Sequence, residues 1–210
     1  MSRRRGWLKP GLAWLTLAGL LAAGSLALSG AETALWDWQP NLAWQEPWRD
    51  WSAALLHWSP QHLHMNLLGT VLMAALGWRA AMQPADTLAW ALAWPLTQLG
   101  LLMQPALLHY AGLSGVLHAG VAIVACRLLQ SRSAGSRRIG GLLALGMVAK
   151  LLLELPWRGA AQAVAGMAFS LAPLAHVSGA VTGLLCRVLC DALMRLRGRA
   201  TTPASKPDPR

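Results

Sequence analysis

Ser114 and His176 stand at the edges of two separate apolar segments, each inside a patch of small residues. The first patch reads Gly112-Leu113-Ser114-Gly115 and the second Ala175-His176-Val177-Ser178-Gly179-Ala180-Val181-Thr182-Gly183. Polar groups in segments long enough to cross a bilayer are costly and usually serve a task. A serine hydroxyl becomes nucleophilic when a base takes its proton, and an imidazole at the same depth can be that base. The chemistry such a pair serves is attack on a peptide carbonyl, within or at the edge of the lipid. The resulting oxyanion needs hydrogen-bond donors. His62 and Asn66 are four apart, hence on one helical face, and both can donate. The backbone N–H of Ser114 adds a helix-start donor at the positive end of a dipole.

No carboxylate is placed by the sequence to orient His176. Asp86 and Asp191 are expected at the far ends of their helices, and Glu154 follows Lys150 by four residues, its expected partner. The expectation is therefore a Ser114–His176 dyad. Gly115 and Gly179 lack side chains where the two helices would need to touch, and Gly179 and Gly183 form a small-xxx-small pair. Taken singly these signals are weak, because a lone serine in an apolar helix commonly bonds its own backbone. Their combination carries the reading. His57, His64 and His109 are read as interfacial. His62 and His64, two apart, do not share a helix face and make a poor metal pair. No metal or cofactor is expected.

These residues converge only if the chain crosses a membrane repeatedly. Of its 210 residues 55% are hydrophobic and 12% charged, against about 25% charged in a soluble domain. Six spans are expected: Gly11–Gly30, Gln61–Trp78, Thr87–Leu102, Gly112–Gln130, Ile139–Leu155 and Ser170–Met194. Arg3, Arg4, Arg5, Lys9, Arg79, Arg132, Arg137, Arg138, Arg195, Arg197 and Arg199 all flank ends that fall on one side after six crossings. Both termini are then cytoplasmic, and His62, Asn66, Ser114 and His176 share the outer side. The net charge of +10 is spread between spans rather than gathered on a face, which argues against nucleic acid as a partner.

The first span also resembles a secretion signal, even a twin-arginine one, but is expected to stay uncleaved. The stretch 31–58 holds six tryptophans with Pro40 and Pro47, and is expected to lie in the outer interface. Cys126, Cys186 and Cys190 are expected to be reduced packing residues. The expected organisation is a basic cytoplasmic start at 1–10, a six-helix domain at 11–197 and a disordered cytoplasmic tail at 198–210.

At these residues the chain resembles the rhomboid intramembrane serine proteases. The pattern WR-x7-H-x4-H-x3-N appears as Trp48-Arg49, His57, His62 and Asn66, the nucleophile motif GxSG as Gly112–Gly115, and AHxxGxxxG as Ala175–Gly183. The resemblance implies an all-α membrane protein, a six-transmembrane-helix bundle with both termini cytoplasmic. It implies Ser114 as nucleophile, His176 as base, and His62, Asn66 and the Ser114 N–H as oxyanion hole, with Gly112, Gly115, Gly179 and Gly183 supporting. Many rhomboids carry a tyrosine four residues after the nucleophile, stacked on the catalytic histidine. Here that position is His118, on the face of Ser114 one turn on, where it can replace the ring stack.

The run Gly-Leu-Ser-Gly-Val-Leu-His and the compact length look like the rhombosortase branch. That branch implies a bacterial inner-membrane enzyme, its site facing the periplasm. Its substrates are membrane-anchored proteins with a C-terminal Gly-Gly segment, an apolar helix and basic residues. Cleavage would proceed by hydrolysis or by transfer to another acceptor. The alternatives are a general rhomboid protease, an inactive rhomboid-like protein that binds membrane helices, and a transporter or cofactor-binding bundle. The last lacks an internal repeat and a charged relay within its spans.

Overall fold

The structure, a computed structural model, describes residues 9–200, with side chains to Arg197. The chain is mostly helical, with six long helices and almost no sheet among the described residues. These are α1 (Leu12–Ala27), α2 (Pro60–Arg79), α3 (Pro84–Leu99), α4 (Ser114–Leu129), α5 (Ala134–Leu153) and α6 (Pro173–Ala200). One two-stranded antiparallel hairpin, β1 (Gln162–Ala163) with β2 (Ser170–Leu171), lies between α5 and α6. The helices coincide with the six expected apolar segments to within a few residues. Of the expected basic start only Lys9 and Pro10 are described. The expected tail lies outside the described residues beyond Ala200, but α6 runs to Ala200, six residues past the expected end of its span at Met194 and three residues into the expected tail. Gly198 weakens a helix by about 1 kcal/mol relative to alanine without stopping it.

Local punctuation explains the starts. Pro60 and Pro84 occupy first-turn positions, where a missing N–H costs nothing. Ser59 accepts a hydrogen bond from the His62 N–H at 3.1 Å, and Ser133 one from Ser136 at 3.4 Å. The Asp86 carboxylate caps the start of α3 through the Gln83 N–H at 2.7 Å.

Two tryptophans tie the first four helices together. Trp14 donates to the Met73 carbonyl and Trp90 to that of Val116, both at 2.8 Å, and their rings stack with centroids 4.2 Å apart. A side chain on Gly77 would collide with the Trp14 indole. The α4–α6 contact is closer still. A Cβ on Gly179 would fall 1.9 Å from the Gly115 carbonyl oxygen, and one on Gly183 2.5 Å from that of Ala119. Backbones approach this closely only where side chains are absent.

Large aliphatic side chains on the outer faces, among them Leu68 and Leu72 of α2, Leu142 and Leu145 of α5, and Leu185 of α6, are exposed. His62, Asn66, Gln98, His176 and Arg187 are buried. The stretch Pro173–Arg197 has an 18-residue window of mean hydropathy 1.6 and is long and apolar enough to cross a membrane, the one such helix among the described residues. Cys126, Cys186 and Cys190 are unbridged.

Candidate active site

The segment between α1 and α2 builds the floor on which Ser114 sits. It folds into helical turns at Thr33–Trp36 and Arg49–Ser52 and 3-10 turns at Pro40–Leu42 and Ala53–Leu55. Trp38 and Tyr110 exchange backbone hydrogen bonds at 2.9 Å, and the Gly112 N–H donates to the Ala53 carbonyl at 2.9 Å. Side chains reinforce this pairing. Arg49, buried, reaches Glu46 at 2.5 Å, Asp37 at 3.3 Å and the Asp37 carbonyl at 2.8 Å. The other Asp37 oxygen meets His109 Nδ1 at 2.7 Å. The first loop thus grips 109–112, the strand-like approach to Ser114. Trp36, Trp44, Trp48, Trp51 and Trp58 are exposed, whereas Trp38 is fully buried. Burial raises the Asp50 carboxyl from 3.8 to about 6, partly opposed by the Trp38 side chain nearby.

Ser114 opens α4, His176 lies in the first turn of α6, and the two meet. His176 Nε2 lies 2.8 Å from Ser114 Oγ. His176 Nδ1 lies 2.6 Å from Glu154 Oε2, at the last turn of α5. This corrects the expectation that no carboxylate orients the histidine. Lys150 does pair with Glu154 as expected, but through Oε1. A carboxylate has two oxygens, and the helical i,i+4 pair occupied one. With Nδ1–H donating to Glu154, Nε2 is left to accept the Ser114 hydroxyl proton.

His118 completes the setting of the ring. Its Nδ1–H donates to the Ser114 carbonyl at 2.7 Å, and its imidazole stacks on that of His176, centroids 4.2 Å apart and planes 17° apart.

Across the opening stands His62. Its Nδ1 accepts from the Trp58 N–H at 3.4 Å, so its proton sits on Nε2. That edge lies 3.0 Å from where a Cβ on Gly112 would stand, and Gly112 adopts φ +145°, a conformation L side chains rarely take. Phe169 stacks face-on upon His62 at 4.1 Å, and His57 meets it edge-on at 5.0 Å. His57 is therefore part of this cluster. Burial lowers its pKa to about 4, partly opposed by a backbone hydrogen bond at Leu55. His109 is likewise held, by Asp37, while His64 is exposed. Asn66 is buried below His62 and returns one N–H to the His62 carbonyl at 3.2 Å, keeping a second donor.

A cavity of about 270 Å³ opens over these groups, lined by His62, His109, Tyr110, Ser114, Phe169 and Leu171 among others. The structure thus brings Ser114, His176, His118 and His62 to one end, with Gly112, Gly115, Gly179 and Gly183 as close-contact points. Glu154, Tyr110 and Phe169 were not foreseen. Tyr110 lies buried beside them and donates to the Gly112 carbonyl at 2.9 Å. The i,i+4 spacing of Glu154 from Lys150 had masked Glu154. Nothing in sequence spacing marked Phe169, which reaches His62 from the far side of the hairpin.

Asp86 and Asp191 lie at the other end of the bundle, as expected. Both meet the buried Arg187, Asp86 at 2.6 Å, and Arg127 lies 3.9 Å from Asp86. Among the described residues no three His, Cys, Asp or Glu side chains gather in a metal-binding cluster. The chain matches no known family model and no curated protein.

Proposed function

We propose that this protein is an intramembrane serine endopeptidase of the rhomboid type, working in the bacterial inner membrane. The single observation that carries the reading is the 2.8 Å contact of His176 Nε2 with Ser114 Oγ under a cavity. A serine placed only for packing would not need a base held in one orientation by two further side chains.

The membrane reading is supported by the inverted burial pattern: exposed leucines outside, buried histidines, amides and an arginine within. A soluble protein rarely leaves so much apolar surface uncovered. Helices of 16 and 20 residues measure about 24 and 30 Å, enough to cross most or all of a hydrocarbon core. Six crossings set Arg79, Arg132, Arg137, Arg138, Arg195 and Arg197 on the cytoplasmic side and Ser114 on the periplasmic side. Both termini are then cytoplasmic.

In the reaction, Ser114 Oγ bonds the scissile carbonyl carbon as its proton passes to His176 Nε2. The oxyanion receives hydrogen bonds from His62 Nε2–H, the Ser114 N–H and the spare amide proton of Asn66. As the C–N bond breaks, His176 returns the proton to the leaving amine. Water, deprotonated by His176, bonds the acyl carbon, the bond to Ser114 Oγ breaks, and His176 returns the proton to that oxygen; an amine in place of water would give transfer.

The substrate is a protein held by a C-terminal helix with basic residues inside. Its periplasmic helix end stands at the depth of Ser114. Glycines before that helix weaken it by about 1 kcal/mol each and let an extended backbone approach closely. A cavity of about 270 Å³ bounded by aromatic rings suits small residues beside the cut, above all Gly-Gly.

The test is cleavage of a Gly-Gly-anchored reporter in proteoliposomes, with products read by mass spectrometry. Wild-type protein should cut at or beside Gly-Gly, and Ser114→Ala and His176→Ala should not cut while still inserting. A substrate cut at wild-type rate by Ser114→Ala would refute the nucleophile. Equal cleavage of anchors carrying Leu-Leu would leave a general protease and remove the sorting role.

A further inference from the structure

We infer that Glu154 is a positioning residue for His176, so that the working unit is Ser114–His176–Glu154 rather than a dyad. This rests on the protease reading above. The carboxylate divides its two oxygens, Oε1 to Lys150 and Oε2 to His176 Nδ1 at 2.6 Å. Stacking on His118 holds the plane of the His176 ring but leaves its tautomer open. A proton on Nε2 instead of Nδ1 would turn the acceptor facing Ser114 into a donor and stop proton abstraction. A carboxylate at Nδ1 removes that alternative and favours the imidazolium that forms as the serine proton arrives.

The local setting argues that Glu154 is not there for helix stability. It caps the C-terminal end of α5, where the helix dipole disfavours a negative charge. Its i,i+4 pair with Lys150 is half-exposed on the lysine side, and such pairs contribute little. Its side chain is itself largely buried, at 13% exposure. Burying a carboxylate at an unfavourable helix end is accounted for by the histidine it meets. The carboxylate also arrives on a helix separate from both Ser114 and His176. Among its twenty residues α5 buries only Gly140, whereas α4 buries nine of sixteen. The orienting group therefore depends on the seating of the least embedded of the long helices.

The experiment compares full-length wild type, Glu154→Gln, Glu154→Asp and Lys150→Met. It reads kcat and KM on the Gly-Gly reporter, labelling of Ser114 by a fluorophosphonate, and thermal unfolding. Glu154→Gln keeps a hydrogen-bonding side chain but permits the wrong tautomer, a change that costs about 10⁴ in kcat in a Ser-His-Asp protease. The expected result is a fall in kcat of about 10²–10⁴ with KM within about twofold, slow labelling, and unchanged unfolding. Glu154→Asp should recover part of kcat, and Lys150→Met should lower it less than about tenfold. Wild-type kcat in Glu154→Gln would overturn the inference. So would equal losses in Glu154→Gln and Lys150→Met, which would make Glu154 only the partner of Lys150. A wild-type protein that neither labels at Ser114 nor cuts would instead overturn the protease reading, and this inference with it.

Discussion

His118 lies face to face on His176, ring centroids 4.2 Å apart and planes 17° apart, while its Nδ1–H is tied to the Ser114 carbonyl. The second tie means that His118 is anchored to the nucleophile's own turn and carries the base on its flat face. Its role is to hold a plane, not to take a proton. His118→Phe should keep substantial kcat because a phenyl ring can stack. His118→Ala should lose more. Steady-state turnover of both variants checks this, and a His118→Phe protein as inactive as His176→Ala would require a different base.

His62 and Asn66 are expected to differ. His62 presents Nε2–H at the cavity, fixed by the Trp58 N–H on its other nitrogen. Asn66 spends one N–H on its own helix. Removing an oxyanion donor costs about 10²–10³ in rate. His62→Ala should show a loss of that size in kcat at saturating substrate, and Asn66→Ala a smaller one. Equal, wild-type rates for both would place the oxyanion elsewhere.

Gly179→Ala should damage the site without touching a polar group. The new Cβ would meet the Gly115 carbonyl oxygen at 1.9 Å, which is backbone and cannot rotate away. α4 and α6 must separate, and with them Ser114 and His176. Overpacking of this kind costs about 1–3 kcal/mol. The expected readouts are a lower unfolding temperature and loss of fluorophosphonate labelling. Unchanged labelling would mean that the pair does not depend on this contact.

Asp50 provides a pH dependence outside the catalytic pair. Its carboxyl is raised from 3.8 to about 6 by burial, so between those values the folded protein holds a proton that the unfolded chain has lost. Stability from this group therefore falls as pH rises from about 4 to about 6 and is level above. Asp50→Asn, which cannot ionise, should gain stability relative to wild type across that window. Thermal unfolding of both proteins at pH 4 and 7 tests it. A constant difference between them would show that Asp50 does not titrate there.

The sequence by itself determined where the helices lie and which residues share an end. The apolar runs and the Lys and Arg residues between them mark the elements, and Pro60, Pro84, Ser59 and Ser133 set the starts of α2, α3 and α5 through interactions spanning only a few residues. Once those helices alternate in direction, the starts of α2, α4 and α6 must lie together, and so must His62, Ser114 and His176. The small residues at Gly115, Gly179 and Gly183 likewise announce a close crossing.

What only the tertiary structure decided are contacts between groups that local rules pair differently or leave unpaired. Glu154 had a sufficient partner one turn away in Lys150, and only the return of the chain through the 155–172 hairpin brings its second oxygen to His176. Asn66 faces the site by helical spacing, yet one of its donors turns back to the His62 carbonyl. Phe169 stacks on His62 although 107 positions separate them, and Arg49 and Asp37, in a loop that carries no periodic signal, clamp His109 in the approach to Ser114. Helix position follows from short-range hydrogen bonding and burial. The partner of a two-oxygen or two-nitrogen side chain depends on which neighbours the packed bundle delivers within about 3 Å.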